Sequence, residues 1–164
     1  MNSKLRVWQI VTTLFLFCVG GVGMLHAAPP TDACSLLTPA QVSAVLSVEV
    51  IREGSAGQPT LCEWSQPGKT LGGKRVLLNI VEPMGTLTPA QRFETIKTPV
   101  PVKGITKTPI SGLGDDAVYG QTGQFTELTV KKGDFVFQIK VNGFPVEEVK
   151  AKEKTLAQGV LANL

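Results

Sequence analysis

The stretch QFTELTVKKGDFVFQIKV, residues 124–141, decides the fold. Phe135, Phe137, Ile139 and Val141 alternate with Val136, Gln138 and Lys140, the period-two pattern of a strand with one face turned to a core. The run before it, QFTELTVKK, meets it at Lys132-Gly133, where glycine supplies a left-handed backbone that other residues adopt at a cost. Two strands joined this closely are antiparallel. An antiparallel hairpin close to the C-terminus therefore anchors the rest of the reading.

Working outward, PVEEVKAKEKTLAQGVLANL follows the hairpin and is expected to be the closing helix. Val149, Leu156, Val160 and Leu164 recur at helical spacing, and Glu147, Glu148, Lys150, Lys152 and Lys154 make its wet side. Upstream, AVYG reads as a further strand. The segment at 97–116 is rich in proline and glycine and is expected to hold only edge strands and turns. KRVLLNIVE, residues 74–82, is the most apolar strand, with Val76, Leu78 and Ile80 on one face and Leu77 and Val81 on the other, and is placed centrally. LCEWS and VEVI, residues 48–51, complete the strands, with REGSAGQPT a turn-rich loop between them.

The pentapeptide LTPAQ occurs twice, at residues 37–41 and 87–91. In each copy Thr precedes Pro at the first helical position and Gln stands three residues after the Thr, which is a capping box. Helices are expected at 39–46 and 89–96, with Leu37 stapled to Val42 and Leu87 to the aliphatic stem of Arg92. Beyond the caps, VSAVLSVEV and RFETIKTPV share no pattern. The repeat is one local solution used twice, and no duplication is inferred. The fold class that results is α+β: an antiparallel β-sheet of about five to six strands with helices packed on it.

The chain has 164 residues with 16 basic and 13 acidic side chains, a net charge of +3. Lys4 and Arg6 precede an apolar run at 7–25, and Ala27-Ala28 follow, the order of a secretory signal peptide. Residues 1–27 are expected to be removed, 28–33 to form a short linker, and 34–164 to form a single globular domain in the periplasm or outside the cell. A retained anchor and a lipid anchor are the alternatives. Against the second, bulky Phe17 precedes Cys18, and Cys34 lies beyond the apolar run. Loss of Lys4 and Arg6 leaves 14 basic against 13 acidic residues, so no nucleic-acid partner is indicated.

Cys34 and Cys62 are the cysteines left after processing. In an exported chain a lone pair reads as a disulfide, with two buried thiols as the alternative. His26, the one histidine, falls in the leader, which removes histidine-based catalysis and histidine metal sites from the mature protein. No cofactor and no metal are expected. Asp115 and Asp116 in SGLGDDAVYG are the acidic ligand candidates, although neighbours on an extended chain point apart and a turn role competes. Lys69, Lys74 and Arg75, with Lys97, Lys103 and Lys107, form two basic groups that read as solvated loops or as contacts to an anionic surface. Trp64 is expected to be buried beside Cys62.

Together DACSLLTPAQVSAVL, CEW, GLGDDAVYG, LTVKKGDFVFQIKV and the last helix resemble a bacterial exported family of domains of unknown function, typified by small actinobacterial lipoproteins. The resemblance spans 34–164 and implies a PsbP-like α/β/α sandwich and a paired Cys34 and Cys62. It implies no activity and no catalytic residues. The functional expectation is an exported, non-enzymatic envelope domain that binds a protein partner or a small ligand. The alternatives are a hydrolase or lyase built on carboxylates or a Ser-Lys pair, and a peripheral factor on anionic membranes.

Overall fold

In the computed structural model, residues 29–53, 57–69 and 72–164 are described. The leader at 1–27 lies outside them. The helices are α1 (Pro39–Leu46), α2 (Pro89–Lys97) and α3 (Val146–Ala162). The strands are β1 (Ile51–Arg52), β2 (Leu61–Ser65), β3 (Arg75–Ile80), β4 (Ile105–Ile110), β5 (Asp116–Thr122), β6 (Phe125–Lys132) and β7 (Phe135–Asn142). They form one antiparallel sheet in the order β1-β2-β3-β7-β6-β5-β4.

Seven strands stand where five to six were expected, and the addition is at an edge. β4, from the proline-rich segment, is one outer strand and carries Pro109, whose missing N–H is tolerated there. β1 is the other and is only two residues long. The strand expected at 48–51 shrinks and shifts because α1 ends on Ser47 in the left-handed region at φ 54°. Val50 then gives its N–H to Ser43 Oγ at 3.1 Å instead of to a neighbouring strand.

Sequence order explains the topology. β3 leaves the centre of the sheet through α2 and reaches the far edge at β4, from which β4, β5, β6 and β7 run back as a meander. β7 thus closes against β3, from Arg75↔Asn142 to Ile80↔Phe137. The alternating face of β7 that holds Phe135, Phe137, Ile139 and Val141 is buried in the main core with Trp64, Leu78 and Leu128. Leu37, Val42 and Leu46 from around α1, with Leu156 and Val160 of α3, cover that face. On the opposite face Phe93 of α2 packs on Val81, Val118 and Val136. α2 is short, so beyond these residues that face carries mostly polar side chains, interspersed with Leu77, Ile105 and Phe125.

Both LTPAQ caps are formed. Gln41 N–H donates to Thr38 Oγ1 at 3.2 Å and Thr38 N–H to Gln41 Oε1 at 2.8 Å. In α2 the same bonds are 3.2 and 2.9 Å. The helices lie on opposite faces of the sheet, so a shared cap led to unrelated packing. Leu37 is buried as a staple, but Leu87 is 37% exposed and the Arg92 guanidinium donates to Glu82 O, so the second staple is not made. Leu164 falls past the end of α3 and is 44% exposed, in contrast to its expected place on the apolar stripe. Thr38→Ala should destabilise the fold by about 1 kcal/mol, since it leaves the Gln41 N–H without its acceptor; a chemical denaturation series with Thr38→Ser as the control measures this.

Cys34 and Cys62 are joined by a disulfide, with Cα atoms 5.1 Å apart. It ties the short 3-10 helix Ala33–Ser35, which α1 follows directly in the chain, to β2. Trp64 is fully buried in the same core as Cys62.

Candidate functional site: a break in the sheet

The hairpin that defines the fold does not stay zipped. β6 and β7 pair from Lys132↔Phe135 at the turn only as far as Leu128↔Ile139. β6 nevertheless continues to pair with β5 as far as Phe125, and β7 with β3 as far as Asn142. Residues 125–127 and 140–142 are therefore neighbours in a sheet that has parted between them. In an antiparallel ladder, hydrogen-bonded pairs recur at every second residue. Counted from the pair that closes the turn, Thr126 and Val141 would be the next such pair.

A carboxyl from α3 occupies the place of that pair. Val141 N–H donates to Glu153 Oε1 at 3.1 Å, and the Thr126 hydroxyl donates to Glu153 Oε2 at 3.1 Å. Glu153 is 0% exposed and joins β6 to β7 where the backbone does not. Burial pushes its carboxyl up to about 7, against the lowering effects of the Val141 and Thr126 hydrogen bonds; the Glu127 charge raises it and Lys140 lowers it. Both protonation states fit the partners, because Thr126 Oγ1 can donate to a carboxylate or accept from a carboxylic acid. Nearby, Tyr119 donates to Lys150 O at 2.6 Å, and burial, with the Glu153 charge, pushes its phenol up to about 12.

The break opens on both sides. On the α2 side is a cleft of about 290 Å³ whose lining includes Ile105, Lys107, Gly120, Phe125 and Lys140. A larger hollow of about 680 Å³ lies beside the start of α3, with Phe125, Val141, Phe144 and Val149 in its wall. Phe125 lines both and is 66% exposed, unusual for a phenylalanine in a strand. Across the break Lys140 Nζ stands 3.6 Å from Glu127 Oε2, and Gln138 Nε2 donates to Glu127 Oε1 at 2.8 Å. In the larger hollow the Phe144 ring has two ammonium groups at 4.5 Å from its centroid, those of Lys74 and Lys152.

Asp115 and Asp116 do not converge on this site. Asp115 accepts from Lys132 Nζ at 2.9 Å and Gly133 N–H at 2.7 Å, pinning the β6–β7 turn. The Gly133 and Lys132 bonds hold its carboxyl below the usual range. Asp116 is ion-paired with Lys97, which clamps the last turn of α2 to β5; that bond lowers the acid and raises the lysine.

The two basic groups meet different fates. Lys69, Lys74 and Arg75 share a polar pocket of about 200 Å³ with Glu53, Glu63 and Ser65. Arg75 lies 3.6 Å from Glu63, and the Ser65 hydroxyl donates to Glu53. Lys97 is held by Asp116, while Lys107 enters the cleft. Among the described residues no serine is hydrogen-bonded to a lysine, and no three His, Cys, Asp or Glu side chains converge as a metal site.

Glu153 is the residue that sequence reasoning passed over. Its signal is present: position 153 falls on the buried stripe of α3, four after Val149 and three before Leu156, where a carboxylate conflicts with the helical period. Gly120 carries a second signal, since glycine inside a strand marks a close approach. The chain matches no protein-family model, no curated protein and no solved structure.

Proposed function

We propose that this protein is an exported, non-enzymatic binding domain of the bacterial envelope, which takes a small ligand at the break between β6 and β7. The single observation that carries this reading is the break itself. A hairpin that is continuous at its turn and parts at its other end leaves an exposed phenylalanine and several polar groups around an open space. Binding sites combine these features: an apolar surface with a few placed polar groups.

Catalysis is the weaker reading on the same observations. Glu153, with its raised carboxyl, has no exposed surface through which to meet a substrate, and Asp115 and Asp116 each hold the fold together. A charge-driven membrane contact is disfavoured because Lys97 and Arg75 already face carboxylates. The Cys34–Cys62 disulfide supports an oxidising compartment, and so a periplasmic or secreted location. An antiparallel sheet with helices on both faces agrees with the layering of the PsbP-like sandwich that the sequence resembles.

The test incubates purified protein with metabolite pools and envelope extracts, then reads retained species by native mass spectrometry. Retention of a metabolite-sized species, lost in Phe125→Asp, is the expected result. Retention of nothing, or of species that Phe125→Asp binds equally, would overturn the reading.

A further inference from the structure

We infer that the cleft on the α2 side binds a single anionic group carried on a small apolar body, a monocarboxylate in its simplest form, with Lys107 as the anchoring cation. This deepens the reading of the break as a ligand site and rests on it.

Lys107 sits on the edge strand β4, directly opposite Gly120 of β5. A side chain on an edge strand has open water to extend into. This one instead lies back across the sheet: a Cβ added at Gly120 would come within 3.1 Å of Lys107 Nζ and 3.9 Å of its Cδ. The missing side chain at Gly120 is what leaves room for the ammonium on the cleft floor. That position removes part of its hydration, which favours an anionic partner.

No such partner is present among the described residues. Lys97, Lys131, Lys132, Lys140 and Lys150 each face a carboxylate, whereas Lys107 makes no ion pair and no side-chain hydrogen bond. The one carboxylate that lines the cleft, Glu127, is held by Lys140 and Gln138. Two lysines against one glutamate leave the cleft one positive charge in excess, which one anionic group neutralises. Ile105 and the exposed ring of Phe125 offer the apolar surface for the rest of the ligand. At about 290 Å³ the space suits a metabolite-sized acid.

The experiment titrates the ¹⁵N-labelled protein with phenylacetate and with hexanoate, which separate an aromatic body from an aliphatic one, and with neutral phenylacetamide. At least one acid should give saturable shifts centred on the amides of Gly120, Gln121, Phe125 and Glu127. Phenylacetamide should bind at least tenfold more weakly than phenylacetate. Lys107→Gln, which removes the charge and keeps a polar side chain one atom shorter, and Gly120→Val, which fills the cleft floor, should each raise Kd at least tenfold. Absence of saturable shifts for both acids, equal binding of the amide, or an unchanged Kd in Lys107→Gln would overturn the anion assignment. Retention of a neutral ligand that Phe125→Asp abolishes would leave the break standing as a binding site, so the two failures are distinguishable.

Discussion

Glu153→Gln should leave the protein no more stable than wild type at pH 4 and more stable by about 3 kcal/mol at pH 8. The folded carboxyl is raised to about 7, whereas the unfolded chain releases its proton near the ordinary value of 4.5. Between these values the native state holds a proton that the unfolded state has lost. Its contribution to stability is thus fully present below the unfolded pKa and falls away as pH rises through the folded one. A shift of this size corresponds to about 3 kcal/mol at about 1.4 kcal/mol per pH unit. Glutamine is neutral at every pH and preserves both contacts, with its carbonyl accepting from Val141 N–H and its amide donating to Thr126 Oγ1. Urea midpoints from pH 4 to 8 for the two proteins should diverge with rising pH. Parallel profiles would mean that Glu153 is not buried as an acid.

Loss of the Cys34–Cys62 bond should cost about 3.5 kcal/mol on the chain-entropy account, because it closes a loop across a sequence separation of 28. For a domain of this size that corresponds to a fall in Tm of about 10–15 °C. The effect reaches beyond the loop, since Cys62 is fully buried beside Trp64 and its partner precedes α1. Thermal unfolding of the oxidised protein, the reduced protein and the Cys34→Ala/Cys62→Ala variant measures it. Equal midpoints in the three samples would contradict the assignment of the bridge as a main support of the fold. The disulfide term does not vary with pH between 4 and 8, which separates it from the Glu153 effect.

What could be read from the sequence was local. The two capping boxes needed only residues three positions apart, and α1 begins and ends where its Thr-Pro-x-Gln start and its apolar positions place it. The β6–β7 turn and the inward side of β7 follow from Gly133 and simple alternation. β1 is shorter and β4 longer than the pattern suggests, because strand length at an edge depends on what lies alongside. Ser43, by taking the Val50 N–H, shortened β1 by a contact that alternation does not encode.

The site was hidden for a related reason. Residues 124–141 alternate as though the hairpin were zipped throughout, and nothing in them marks where the ladder stops. The stop is supplied by a side chain 27 residues beyond Thr126, on a helix whose charged positions were all assigned to water except this one. A glutamate on the apolar stripe of α3 is a conflict between local pattern and global fold, and such conflicts gather at sites with a role beyond stability. Lys107 was visible as a charge, but its unusual direction depends on Gly120 in the next strand.

The account stands on a carboxyl lent by α3 to an open break between two strands. The most direct measurement follows the ¹³Cδ resonance of Glu153 against pH, assigned by its loss in Glu153→Gln. A titration midpoint of about 7, accompanied by a shift of the Val141 amide proton over the same range, is the predicted result. A midpoint at the ordinary glutamate value with a silent Val141 amide would show a solvated side chain and contradict it.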